Sequence, residues 1–256
     1  MTVVAVIPAR YASTRFPGKA LAPIGGKPMI QHVYERVQKA RYVEDVLVAT
    51  DDERIRAAVE GFGGQAVMTS PNHPSGSDRI AEAVAEAEFE WVVNVQGDEP
   101  LLAPQDIDAA ILPLLGNPEI PISTLAKRIQ AEHEFFDPNV VKVVVDANGF
   151  ALFFSRSPIP YNRTAWEKLS DGEILEGHHV EMPEPAFKHI GLYVYRREVL
   201  AALTATPPTP LELCEGLEQL RALESGYKIQ VIETERDSIG VDVPEDILRV
   251  EEYLRV

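Results

Sequence analysis

Arg10, Arg15 and Lys19 lie within ten residues of one another, with Ser13, Thr14 and Gly18 between them. Cationic side chains, hydroxyls and open backbone amides in one short loop suit a polyphosphate. A solvated basic loop would use the same residue types. The spacing is not that of a P-loop, which needs glycine where Ser13 stands and Ser or Thr where Ala20 stands. No G-x-G-x-x-G follows, which leaves a dinucleotide turn, and a dehydrogenase, unsupported.

A second polar group, Gln96-Gly97-Asp98-Glu99-Pro100, follows an apolar run at residues 91–95. Carboxylates just beyond a strand hold Mg²⁺ through one or two oxygens while phosphate oxygens complete the octahedron. Gly97 leaves room for a ligand against the backbone. An acidic turn explains the group in isolation. Its pairing with a cationic loop makes the metal reading the better one.

Weaker candidates follow. Ser77 reads as the cap of a helix, which places Ser75-Gly76-Ser77-Asp78-Arg79 at an N-terminus that favours anions or base acceptors, with simple capping as the alternative. His189, Gly191, Tyr193 and Tyr195 alternate onto one face of a strand, and such a face receives a sugar or forms a core strand with a polar edge. Glu218 and Gln219 lie beside the apolar stripe of a helix over residues 211–224. Asp242 with Glu245 fits a capping box, and Pro244 fits the first turn. The adjacent His178 and His179 have no evident further ligand and read as surface residues.

The elements that position these residues follow a βαβ rhythm. Residues 3–7 form a buried strand that Pro8 should end, since proline donates nothing to a ladder. A helix over 28–40, a strand at 46–49, a helix through 59 and a strand at 65–68 follow, as in a parallel sheet with right-handed crossovers. Strands at 91–95, 122–126 and 228–232 extend it, and residues 140–145 and 151–155 read as a hairpin. Residues 157–186 have four prolines and no period, and read as a long loop.

The 256 residues carry a formal net charge of −16, which argues against nucleic acid and anionic membrane surfaces as partners. A phosphate ligand therefore needs a local cationic cluster. Cys214 stands alone, so neither an intramolecular disulfide nor a cysteine-based zinc site is available. Neither a signal segment nor a membrane span is legible, and the cytoplasm is the expected location.

The run from Ile7 to Lys19 resembles the signature of sugar-activating nucleotidyltransferases, in detail that of the 3-deoxy-manno-octulosonate (KDO) cytidylyltransferase family. Residues 27–30, 93–100, 139–145, 151–156, 189–193, 217–221 and 240–246 extend the likeness over nearly the whole chain. The resemblance implies one α/β domain over residues 1–256, its mostly parallel sheet flanked by helices in the nucleotide-diphospho-sugar transferase-like, Rossmann-like manner. A smaller mixed lobe from about 122–215 would serve sugar binding and dimerisation. It implies transfer of CMP from CTP to KDO for lipopolysaccharide synthesis, with Mg²⁺ on Asp98 and Asp242, in a homodimer. Pro8, Ala9, Arg10, Ser13, Lys19, Ser77, Arg79, Gln96 and Asp98 would then bind the nucleotide. Gln96, Arg156, Arg163, His189, Tyr193, Glu218 and Gln219 would line the sugar-acid site. Arg10, Lys19, Asp98 and Asp242 would carry the chemistry. A cytidylyltransferase for another sugar acid, or a non-catalytic binding module, remains the alternative.

Overall fold

A computed structural model describes residues 2–12, 16–167, 181–237 and 239–254. Ser13, Thr14, Arg15 and the His178-His179 pair lie outside the described residues. The first half runs β1 (Val3–Ala9), a one-turn 3-10 helix (Lys19–Leu21), β2 (Pro23–Ile24), β3 (Lys27–Pro28), α1 (Met29–Val37), β4 (Asp45–Thr50), α2 (Glu53–Gly61), β5 (Gln65–Met68), α3 (Gly76–Ala83), β6 (Trp91–Asn94) and α4 (Pro104–Gly116). The second half adds β7 (Ile122–Arg128), α5 (Glu132–Phe136), β8 (Lys142–Val145), β9 (Ala151–Ser155), α6 (Arg163–Trp166) and β10 (Phe187–Arg196). It closes with α7 (Arg197–Thr204), α8 (Pro210–Glu215), α9 (Gln219–Glu224), β11 (Ile229–Glu233) and α10 (Asp246–Leu254).

The main sheet runs β11-β7-β10-β6-β1-β4-β5, and the β8–β9 hairpin continues it from β10. Every strand of that path is parallel to the others except β10, which is antiparallel to both its neighbours. The mostly parallel sheet read from the sequence is therefore present, with one reversed strand near its centre. Alternation along β1 builds two layers. Ala5 and Ile7 pack with Ile30, Val33, Ile55 and Ile107 from α1, α2 and α4. Val4 and Val6 pack with Ile80, Leu200 and Leu220 from α3, α7 and α9.

Four expectations are corrected. β1 continues through Pro8, which lies opposite Ala49, to Ala9. The β6 ladder stops earlier, at Val6, whose carbonyl accepts from Val95 at 3.1 Å. Donors alternate along a strand, so Pro8 faces the edge that β6 has already left and no N–H is missed. Ser75, not Ser77, caps α3, accepting from the Asp78 amide at 3.2 Å. The expected helix over 211–224 is two, broken at Gly216 with φ 63°, and Leu213 of the expected stripe is 70% exposed. The loop after 157 contains α6, whose Trp166 is buried against Phe135 and Ala186 and donates to the Glu181 carbonyl at 2.8 Å.

Candidate active site

The cationic loop leaves the carboxyl end of β1, and its neck is closed by the Gly18 amide donating to the Tyr11 carbonyl at 2.9 Å. Gly18 has φ +72°, and a Cβ there would meet the Tyr11 ring at 3.0 Å, so the position favours glycine twice over. The Arg54 guanidinium lies over the same ring, 3.4 Å from its centroid, and is tied to Asp52 at 2.6 Å. The one-turn helix then starts and presents Lys19 to the end of β6.

Gln96, Gly97 and Asp98 follow β6 after Val95. A Cβ at Gly97 would meet the Pro8 carbonyl at 3.0 Å, so glycine sets how closely these two segments approach. Lys19 Nζ lies 2.6 Å from Asp98 Oδ2 and 3.6 Å from Asp242 Oδ1. The Val241 amide donates to the Asp98 carbonyl at 2.9 Å, which fixes the two carboxylates side by side. The last helix starts at Asp246, later than the capping box read at Asp242 and Glu245 would place it. Asp246 accepts from the amides of Asp242 and Val243, and the Asp242 carboxylate faces Lys19.

The N-terminal end of α3 forms the opposite wall. Arg79 is 4% exposed, donates to Thr69 Oγ1 at 2.6 Å and pairs with Asp51 at 3.2 Å. Together these segments enclose a cleft of about 390 Å³ that gathers Pro8, Ala9, Arg10, Lys19, Arg79, Gln96, Asp98 and Asp242. That volume suits a small molecule, and cations face carboxylates across it. His73 and Ser75 also line the cleft. His73 pairs with Glu82, and that hydrogen bond holds the Glu82 carboxyl below its usual range. Nothing in a polar turn marks such a histidine beforehand.

Gln96 apart, the expected sugar-side residues lie outside the cleft, and so does Ser77, expected on the nucleotide side. Ser77, Tyr193, Tyr195, Glu218 and Gln219 line a second cavity of about 20 Å³, room for a water and not for a sugar. The Tyr193 hydroxyl is buried there with no hydrogen-bond partner among the described residues, and burial pushes its pKa up. The two cavities adjoin through β10: Tyr193 is in register with Asn94, and a Cβ at Gly191 would lie 3.8 Å from Gln96 Cγ. His189 stacks edge-on against Phe154, and burial pushes its pKa down to about 3. Its Nε2 is 3.0 Å from Thr124 Oγ1, whose single proton goes to the Leu192 carbonyl at 2.7 Å. The neutral ring therefore donates from Nε2 and keeps Nδ1 as an acceptor.

Arg156 lines neither cavity. Its guanidinium donates to the Glu215 carbonyl at 2.8 Å and the Pro138 carbonyl at 3.0 Å, which ties α8 to the hairpin. Arg163 opens α6 and is exposed, also away from both cavities.

The sequence profile of the cytidylyltransferase family matches residues 4–229. A 3-deoxy-manno-octulosonate cytidylyltransferase from Geobacter sulfurreducens is 55% identical over 255 residues, all of both chains. The chain belongs to the 3-deoxy-manno-octulosonate cytidylyltransferase family. A family relative from Solibacter usitatus is 51% identical over 97% of this chain and 92% of its own. The solved structure of a CMP:2-keto-3-deoxy-manno-octonic acid synthetase complexed with CTP superposes with a TM-score of 0.89 at 42% identity, covering 100% of this chain and 99% of that one. A 4-diphosphocytidyl-2C-methyl-D-erythritol synthase from Anaerococcus prevotii, 15% identical with a TM-score of 0.62 and covering 100% of this chain and 99% of its own, shares the fold. The cytidylyltransferase fold thus accounts for the sheet order and for a cleft at the carboxyl ends of β1 and β6.

Proposed function

We propose that this chain transfers CMP from CTP to the anomeric hydroxyl of KDO and releases pyrophosphate, activating KDO for lipopolysaccharide synthesis. The observation that carries this reading is the meeting of the Arg10–Lys19 loop with the Asp98–Asp242 pair in one cleft, in a chain of this family. The sugar hydroxyl oxygen forms a bond to the α-phosphorus, the bond to pyrophosphate breaks, and the hydroxyl proton passes to solvent. Alignment and charge neutralisation supply most of the help such a displacement needs. Arg10 and Lys19 neutralise the leaving pyrophosphate. Gln96, beside Asp98 and next to β10, faces the attacking hydroxyl. Tyr193, Glu218, Gln219 and the Nδ1 of His189 receive the sugar acid once the second cavity opens.

Asp98 and Asp242 fit a hard divalent cation such as Mg²⁺. They are oxygen donors held side by side at a cleft wide enough for phosphate. Among the described residues no group of three or more His, Cys, Asp or Glu side chains gathers, so phosphate and water would complete the shell. When bound, Mg²⁺ supplies charge neutralisation at phosphate and makes the hydroxyl easier to deprotonate.

The lobe from about 122–215 forms the contact of a homodimer in this reading, with exposed Leu152, Tyr161, Leu211 and Leu213 supplying apolar surface. No helix among the described residues is long and apolar enough to cross a membrane. With CTP as substrate, this reading puts the reaction in the cytoplasm as part of the same proposal. The test is pyrophosphate release from CTP and Mg²⁺, with and without KDO, in wild type and Asp98→Asn. Release that needs KDO and falls by about 100-fold or more in a folded Asp98→Asn is expected. Release with a different sugar acid alone would change the substrate, and silence with every acceptor would sink the reading.

A further inference from the structure

In the free protein the lysine assigned to the leaving phosphates is engaged elsewhere. Lys19 Nζ bridges Asp98 Oδ2 at 2.6 Å and Asp242 Oδ1 at 3.6 Å, with its side chain only 16% exposed. An ammonium and a divalent cation compete for the same carboxylate oxygens. We propose that Lys19 is an internal counter-ion: it holds the carboxylate pair together and keeps divalent cations out until a nucleoside triphosphate draws the ammonium away. This rests on the reading of Asp98 and Asp242 as the cation's ligands.

The backbone of Lys19 is held in place, so an exchange of partners requires only its side chain to move. Its amide donates to Phe16 at 3.1 Å and its carbonyl accepts from Ala22 at 3.0 Å, but the side chain is a flexible four-carbon stem. The partners, by contrast, are held by backbone. The Val241–Asp98 bond sets two like charges side by side, and Lys19 offsets their repulsion. Arg79 cannot take over this role, because Thr69 and Asp51 already hold its guanidinium. A triphosphate entering between Arg10 and the pair offers Lys19 a denser anion. As the ammonium moves to phosphate, the carboxylates open to a cation that the same phosphates also ligate. Nucleotide and cation then bind as an interdependent pair, each raising the affinity of the other by the same factor.

The test is Mn²⁺ binding to the full chain, read from the electron paramagnetic resonance signal of the free ion, with and without CTP and without acceptor. Lys19→Gln should bind Mn²⁺ at least roughly tenfold more tightly than wild type in the absence of nucleotide. Lys19→Arg, which keeps the charge, should stay within about twofold of wild type, and Arg10→Gln, in the same cleft, within about threefold. CTP should tighten Mn²⁺ binding by about tenfold or more in wild type and by clearly less in Lys19→Gln. Equal Mn²⁺ affinity in Lys19→Gln and wild type, or an equal gain in Arg10→Gln, would overturn the proposal. Asp98→Asn separates the two layers of the argument. If it abolishes Mn²⁺ binding, the ligand reading stands and a flat Lys19→Gln result refutes the exchange alone. If it leaves Mn²⁺ binding unchanged, the ligand reading falls and the exchange with it.

Discussion

The Asp246 carboxylate accepts the amides of Asp242 and Val243, at 2.9 and 3.1 Å. By doing so it takes the part that a capping box would give to Glu245, and it holds the backbone from which Asp242 faces Lys19. Burial pushes the Asp246 pKa up, but the two backbone amides outweigh it and hold the carboxyl below its usual range. Its stabilising effect is therefore present above the unfolded value near 3.8 and is lost as pH falls from there through the lower folded value. Asp246→Ala should cost about 1 kcal/mol in a denaturant titration. It should also lower turnover beyond that loss, because the turn carrying Asp242 loosens. Asp246→Asn, which keeps an acceptor oxygen, should fall between the two.

Gly18→Ala tests the neck of the cationic loop. A left-handed alanine costs about 1–2 kcal/mol, and its Cβ would press on the Tyr11 ring at 3.0 Å. The neck relieves both by opening. The expected result is a CTP dissociation constant raised by roughly five- to thirtyfold with the melting temperature little changed. CTP binding at the wild-type level would remove the neck from nucleotide recognition.

His189 sets a pH limit on stability. Burial lowers its pKa to about 3, so the unfolded chain takes up a proton near pH 6.5 that the folded chain refuses. The contribution is intact above pH 6.5 and declines as pH falls from there toward 3. One proton is at stake, so the slope is at most about 1.4 kcal/mol per pH unit, and the partial exposure of the residue lowers it. Urea titrations at several pH values should show wild type losing stability faster than His189→Gln between pH 6 and about 4. Parallel curves would mean that the ring stays solvated.

Arg221 and Glu212 make a pair that is nearly buried, with side chains each 10% exposed and Arg221 Nε 2.8 Å from Glu212 Oε2. Arg221→Met strands the carboxylate between α8 and α9. A loss of about 3–5 kcal/mol is expected from chemical denaturation. The double variant with Glu212→Leu should recover much of it, since replacing both charges by apolar groups removes the unpaired one.

The βαβ half of the fold was legible because strands buried on both faces, such as residues 3–7, read as unbroken apolar runs. The cleft residues of that half followed from their position after β1 and β6. The second half was harder. The break at Gly216 was hidden by leucines at 213, 217, 220 and 223 that mimic one helical stripe, although Leu213 is exposed. The start of the last helix was equally hidden, because Asp242-x-x-Glu245 matches a capping box while the side chain that accepts the Asp242 amide is Asp246. Nothing local reveals that β10 reverses within a parallel sheet, since strand direction depends on partners far along the chain. Arg156 shows the converse: its place in a matching segment is legible, but its carbonyl partners come from residues 138 and 215.

The place of β10 also shapes how the molecule is made. β6 and β7 are consecutive strands in the chain, yet they are separated in the sheet by a strand formed some sixty residues after β7. Until that strand arrives, both hold an unpaired edge a strand's width apart, and neither edge meets the other. Closing the gap is a long-range event of the kind that slows folding and leaves intermediates prone to wrong pairing. The wall that brings Tyr193 next to Asn94 is thus among the last parts of the sheet to form. The cleft is completed later still, because Val241 and Asp242, which close it against Asp98 and Lys19, follow β10 in the chain.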